Sequence, residues 1–282
     1  MIKSIYIYGL GMMGGSIAKA IRKSNSKIKI FATDISLKSL KYAKKEKIIN
    51  DFDSEDYRFL NESDLIIICV PMLSYRSVID IIHIHRKSDS LITDIGSTKK
   101  EICSMIKKNK SINKFFVGSH PLTGKEKSSI KNSSEDIFKE SYVLLSTIDS
   151  STRKTEKEIT NFWRKLNCRV ISITPENHDK ILSMTSHLPH IISFILVDLI
   201  SRNKMIDNLD SYIGGGFKDL ARLAKSDLAM WTDIILTNRY NIISSISKFS
   251  NSLDSFIEII SKGDSKKIQE YLVRRKNKSS NL

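Results

Sequence analysis

The stretch Tyr6-Ile7-Tyr8-Gly9-Leu10-Gly11-Met12-Met13-Gly14-Gly15-Ser16-Ile17-Ala18-Lys19-Ala20 decides the reading of this chain. Gly9, Gly11 and Gly14 spell G-x-G-x-x-G. The β-branched and aromatic run Ile5–Tyr8 before them reads as a strand. Ile17, Ala20 and Ile21 after them recur at helical spacing. Asp34 lies twenty residues beyond Gly14, at the end of a second strand-like run, Ile28–Ala32. A strand, a glycine turn, a helix and then an acid at this distance form the dinucleotide fingerprint, which a glycine turn alone would not. Gly9 permits the tight turn, Gly11 lets backbone approach a pyrophosphate, and Gly14 lets helix and strand pack closely. The helix N-terminus then faces the anion, with Met12 and Met13 in its first turn. A carboxylate at Asp34 accepts ribose hydroxyls and repels a 2′-phosphate, so the expected cofactor is NAD.

Outward from this stretch, strand and helix alternate. Strand-like runs are expected at Ser4–Tyr8, Ile28–Ala32, Leu65–Val70, Leu91–Asp94, Phe115–Gly118, Tyr142–Ser146 and Arg169–Ile173. Helical patterns lie between them at Gly14–Ser24, Leu37–Lys45, Tyr75–His83, Lys99–Lys108 and Ser151–Leu166. The pattern predicts a Rossmann-type doubly wound parallel sheet, with ligands at the carboxyl ends of the strands. Val70 and Pro71 end one strand where a cofactor would pass. Ser97 and Thr98 follow another, either capping the next helix or, for Ser97, facing a nicotinamide. His120 falls on an expected loop past a third strand, where it would face the crevice.

After Pro175 strand signals cease, so the expected division is a dinucleotide domain over 1–175 and an all-helical domain over 176–282. Ile181–Ser201 reads as one helix bent near Pro189, and Thr232–Ile260 as another. Both are apolar on most sides and need cover. A helical unit of this size has little interior of its own, which points to burial against a second copy. His187 and His190, three apart, lack a third metal ligand, and no metal is expected. Gly214-Gly215-Gly216 leads into a helix on which Lys218 and Arg222 share a side, and Arg suits bidentate recognition of a carboxylate. The same segment also reads as a surface helix after a glycine linker.

The chain has 282 residues and a formal charge of +15. That charge alone suggests nucleic acid or an acidic membrane. The lysines, however, are spread along the chain and concentrated only in Lys262–Lys278, which reads as a solvated helix end. Neither partner is expected. Three separated cysteines match no metal spacing and indicate free thiols in a reducing, cytoplasmic setting. No targeting segment is expected, and Ile191–Ile200 is too short to span a bilayer. Lys276–Leu282 is expected to be disordered.

Taken together, the motifs resemble those of the prephenate dehydrogenase family, which includes arogenate and cyclohexadienyl dehydrogenases. The likeness covers nearly the whole chain. Beyond the glycine loop it rests on Asp94-Ile95-Gly96-Ser97-Thr98-Lys99, Gly118-Ser119-His120-Pro121-Leu122-Thr123-Gly124, Ser186-His187-Leu188-Pro189-His190 and Gly214-Gly215-Gly216-Phe217-Lys218-Asp219-Leu220-Ala221-Arg222. The resemblance implies oxidative decarboxylation of prephenate, or of arogenate, with NAD. It implies His120 as the base that takes the 4-hydroxyl proton and Ser97 as the residue that orients it. Arg222 would hold a substrate carboxylate, with His187, Lys218 and Asp219 around the pocket and Glu126 at its mouth. Trp231, in a Met230-Trp231-Thr232-Asp233 stretch, would reach the neighbouring subunit's site in a homodimer. Ser129 stands where the family often has Gly. No fused mutase or regulatory domain is expected after the helices. The rival readings are another two-domain dehydrogenase of the β-hydroxyacid type and a basic, non-catalytic binding module.

Overall fold

The computed structural model describes residues 2–54, 56–124, 129–149, 152–202 and 209–279. Strand β1 (Ser4–Tyr8) leads through the glycine loop into α1 (Met12–Ser24), and β2 (Lys29–Thr33) into α2 (Leu37–Lys45). Then come β3 (Asp51–Phe52), α3 (Arg58–Asn61), β4 (Leu65–Ile68), α4 (Tyr75–His85), β5 (Leu91–Asp94), α5 (Lys100–Lys108) and β6 (Phe116–Pro121). The sheet closes with β7 (Tyr142–Ser146), α6 (Arg153–Lys165) and β8 (Arg169–Ser172). The strand order is β3-β2-β1-β4-β5-β6-β7-β8, and β1 through β6 pair in parallel.

Successive strand residues feed opposite layers, as a period of two requires. Ile5, Ile7, Leu65 and Ile67 pack with Ile17, Ile21, Phe162 and Trp163 on one face. Tyr6, Ile66, Ile68 and Ile92 pack with Val78, Ile82, Ile102 and Ile106 on the other. Both faces are covered, which explains why these strands read as unbroken Ile and Leu.

The sheet departs from a wholly parallel one at β7, which runs antiparallel to β6. The connection between them contains, among the described residues, only a turn of 3₁₀ helix at Ile130–Asn132, so no crossover helix carries the chain back to the starting edge. Helix α6 supplies that crossover one step later, and β8 is parallel to β7. Two short elements, β3 and α3, carry too few residues to give a periodic signal.

From Pro175 onward the described elements are helical. Helix α7 (Pro175–Leu182) continues through a π-helical turn (Ser183–His187) into α8 (Leu188–Ser201). The expected bend at Pro189 takes the form of this widened turn. Pro189 has no N–H to donate one turn back, and π turns absorb such a lost bond. Helix α9 (Gly215–Leu223) follows Gly214, and α10 (Leu228–Thr237) and α11 (Arg239–Ser261) replace the single helix expected over Thr232–Ile260. The break is Asn238, whose φ of −118° and ψ of 21° leave the helical region. Helix α12 (Ser265–Ser279) includes residues 276–279, so the expected disorder fails there; 280–282 lie outside the described residues. Compact packing divides the chain into Met1–Arg239 and Tyr240–Leu282. The three cysteines are free thiols.

Candidate active site

Because β1, β4, β5 and β6 are parallel neighbours, their carboxyl ends form one rim. Gly9, Val70 with Pro71, Ser97 and His120 occupy it in that order. Adjacent strands lie about 4.8 Å apart, so the row extends roughly 14 Å, the scale of an extended dinucleotide.

The glycine loop fits a pyrophosphate on three observations. Gly9 sits at φ +98°, and a Cβ there would meet the Cys69 carbonyl oxygen at 2.8 Å. A Cβ on Gly14 would lie 2.1 Å from the Gly9 carbonyl oxygen, so strand and helix touch through backbone. A Cβ on Gly11 would meet nothing within 4 Å, which leaves open space over the start of α1. No side chain caps that helix. Its first N–H groups, at Met12 and Met13, are suited to an anion. Asp34 ties the loop to the end of β2, accepting from the Leu10 N–H at 2.6 Å and the Ser36 N–H at 2.7 Å. A carboxylate has about four lone-pair sites, so ribose hydroxyls still find acceptors there.

His120 is part of β6, where a loop was expected. Phe116 and Val117 pair with β5, after which Gly118–Pro121 turn away and pair with β7, His120 opposite Leu144. A strand paired in this way holds a side chain more firmly than a loop does. Its neighbour Ser119 is pinned as well. The Trp163 indole donates to the Ser119 hydroxyl at 3.0 Å, and that hydroxyl lies 2.6 Å from the Thr93 hydroxyl.

Beneath the site, the buried Asp94 carboxylate joins three segments. It accepts from the Ser119 N–H at 3.1 Å, the Gly96 N–H at 2.9 Å and the Tyr75 hydroxyl at 3.1 Å, and forms an ion pair with the fully buried Lys99. Gly96 is required for this closeness, since a Cβ would fall 2.7 Å from the Tyr75 oxygen.

The partner of His120 is His178 on α7. His120 Nδ1 lies 2.9 Å from His178 Nε2, and His178 Nδ1 lies 2.8 Å from Asp179 Oδ1. Asp179 also accepts the backbone N–H groups of Lys99 and Lys100, at 2.7 and 3.0 Å. It thereby caps α5, the role considered for Ser97 and Thr98. A carboxylate suits that position because it faces the positive end of the helix dipole. The Thr98 hydroxyl instead meets Thr237 at 2.9 Å. Ser97 is partly buried, and among the described residues no hydrogen bond joins it to His120. The side chain within hydrogen-bond distance of His120 is that of His178.

From Asp179 the contacts continue into the helices. The Asn238 amide donates to the Asp179 carbonyl oxygen at 2.8 Å and approaches His187 Nδ1 at 3.2 Å. His187, on the π turn, is buried edge-on to Trp231, while His190 stacks on the same indole at 4.2 Å. Trp231 thus packs against His187, His190 and Phe194 of its own chain. Its indole nitrogen is buried without a hydrogen-bond partner among the described residues. Arg222, on the exposed face of α9 with Lys218 and Asp219, is near enough to His190 to disfavour its protonation. Glu126 lies outside the described residues.

Burial is the main cause that holds each imidazole neutral. His120 falls well below the ordinary histidine range, with His178, Lys99 and His187 adding to the effect. His178 is lowered by burial against the opposing pull of Asp179. His187 is brought down to about 4. An uncharged imidazole on a sheet rim is suited to accept a proton.

Comparison with known proteins agrees with this layout. Residues 17–172 match the family model "Prephenate dehydrogenase, nucleotide-binding domain", and residues 174–274 match "Prephenate dehydrogenase, dimerization domain". The chain belongs to the prephenate dehydrogenase family. It is 30% identical to the prephenate dehydrogenase of Lactococcus lactis over 96% of this chain and 75% of that protein. It is 28% identical to that of Bacillus subtilis over 98% and 75%. The crystal structure of the Aquifex aeolicus prephenate dehydrogenase, in complex with hydroxyphenyl propionate and NAD+, superposes with a TM-score of 0.92. The two share 32% identity over 100% of this chain and 98% of that one. The chain is thus an oxidoreductase of this family, and its cofactor is NAD.

Sequence reasoning missed His178, Asp179 and Asn238, and gave Lys99 and Asp94 no task. The available signal was Thr174-Pro175-Glu176-Asn177-His178-Asp179, a helix start that presents an imidazole and a carboxylate in its first turn.

Proposed function

We propose that the chain catalyses the NAD-dependent oxidative decarboxylation of prephenate to 4-hydroxyphenylpyruvate, the dehydrogenase step toward tyrosine. The observation that carries this reading is His120. Its imidazole is kept neutral by burial on the same sheet rim as the dinucleotide loop, with Nδ1 2.9 Å from His178 Nε2. Gly9, Gly11, Gly14, Asp34 and Val70 would hold NAD, which would supply the acceptor for the hydride released from ring carbon 4. His120 takes the 4-hydroxyl proton at Nε2 as that carbon becomes a carbonyl. The ring carboxylate leaves as CO₂, the electrons of the broken bond aromatise the ring to a phenolate and provide the driving force, and that oxygen then takes the proton back from His120 to become the hydroxyl of the product. Ser97, at the end of β5, lies next along the rim and orients the reacting hydroxyl.

Arg222 holds a substrate carboxylate, with Lys218 and Asp219 beside it on α9 and with His187 and Trp231 forming the wall behind. A dianionic substrate also benefits from the basic surface of this chain. Residues 1–175 serve the cofactor and 176–282 the substrate and a homodimer. The dimer reading is supported by a stripe on α11, where Phe249, Leu253, Ile257 and Ile260 recur at helical spacing and are exposed. The free thiols support a cytoplasmic setting.

The test is NADH formation by purified protein with NAD and either prephenate or arogenate. Turnover of prephenate supports the reading. Turnover of arogenate alone keeps the chemistry and changes the substrate. No turnover of either by folded protein that binds NAD rules the reading out.

A further inference from the structure

We propose that His178 and Asp179 are positioning residues that fix which nitrogen of His120 carries the proton. A neutral imidazole has one N–H and one lone pair, and the choice between them is set by whichever partner the ring meets. Asp179 is an acceptor and is anchored by the Lys99 and Lys100 backbone N–H groups, so it cannot turn away from His178. His178 Nδ1, 2.8 Å from that carboxylate, must therefore carry the proton. His178 Nε2 is left with a lone pair, and His120 Nδ1, 2.9 Å away, must donate to it. Only His120 Nε2 then remains to accept a proton. Among the described residues it has no hydrogen-bond partner, and His120 as a residue is partly buried. The chain Asp179, His178, His120 thus presents one basic nitrogen in one orientation.

The inference rests on the oxidation reading only for what that nitrogen does. When Nε2 takes the substrate's hydroxyl proton, His120 carries two N–H groups and one positive charge. The Nδ1–H bond to His178 aims that charge at the Asp179 carboxylate, and no proton needs to leave His120 during the step. The other charged and titratable groups around this pair are Lys99 and Asp94, already matched to each other beneath it, and His187 on the π turn. The orienting contact therefore comes from α7, fifty-eight residues further along the chain than His120.

Two substitutions separate positioning from proton storage. His178→Gln keeps an acceptor toward His120 and a donor toward Asp179, but cannot hold a proton. His178→Leu fills the space and provides neither. Nitrogen-15 NMR of histidine-labelled full-length protein reads the tautomer directly, without substrate or turnover. The expected results are an Nδ1–H, Nε2-lone-pair His120 in the wild type and in His178→Gln, and a mixed or reversed tautomer in His178→Leu. In the NADH assay, His178→Gln should keep kcat within about fivefold, whereas His178→Leu should lose about a hundredfold with KM within about twofold. An Nε2–H His120 in the wild type would overturn the proposal. So would equal losses of kcat in both variants, or full activity in His178→Leu. Should His178→Leu fail to fold, the wild-type and Gln tautomers still decide. If the wild type turns over no substrate, the oxidation reading fails while the tautomer remains measurable.

Discussion

At the dinucleotide loop the groups proposed to work are backbone amides drawn from six consecutive residues, Gly9 to Gly14. Around His120 they are side chains drawn from β6, α7, the π turn and the end of α10. In the loop, the residues that matter are those that must lack a side chain. In the histidine site, each matters for the atom at its tip, and the fold must carry Asp179 across eighty residues to reach the Lys99 N–H. The loop should therefore fail by steric collision, and the histidine site by loss of a single function while the fold survives.

Glycine substitutions give the sharpest contrast. Gly14→Ala places a Cβ on the Gly9 carbonyl oxygen, so it should cost roughly 2–3 kcal/mol of stability and abolish measurable NADH binding. Gly11→Ala meets open space in the free protein. It should leave urea stability within about 0.5 kcal/mol while weakening NADH binding by about tenfold or more. Equal stability losses in the two variants would break the comparison.

On the side-chain side, Arg222→Ala should raise KM for the substrate about 10- to 100-fold, the usual worth of a charged hydrogen bond, as read from initial rates of NADH formation. A smaller effect concerns pH. In the proposed reaction neutral His120 is the active form, and burial holds its protonation below the ordinary histidine value. As pH falls from 7, kcat/KM should therefore persist through about pH 6.5 and decline only at lower pH. Half-loss at or above that value would mean that His120 is not desolvated as described. The smallest expected effect lies away from both regions. Ser129 adopts φ +107°, in a backbone region that favours glycine. Ser129→Gly should raise stability by about 1 kcal/mol in thermal or urea unfolding, with activity unchanged.

The same contrast explains what could be read in advance. The loop was legible because its requirements are local, with strand, glycines, helix and Asp34 falling within thirty residues at fixed spacing. Most strands were legible because both faces of the sheet are buried. His120 could be picked out, but its placement on a strand could not, since the switch of β6 from β5 to β7 is a pairing decision made outside the local sequence. His178 and Asp179 were invisible as site residues because only tertiary packing brings α7 against β6 and the start of α5. Asn238 was hidden inside an apolar run whose period continues past the break.

The account stands or falls on His120 as the base of an NAD-dependent oxidation. The most direct measurement compares initial rates of NADH formation from prephenate by the wild type and by His120→Asn, alongside NADH binding to each. The account predicts that kcat falls by about 10²- to 10⁴-fold in the variant while NADH binding is retained. A variant that keeps wild-type kcat with intact NADH binding would contradict it.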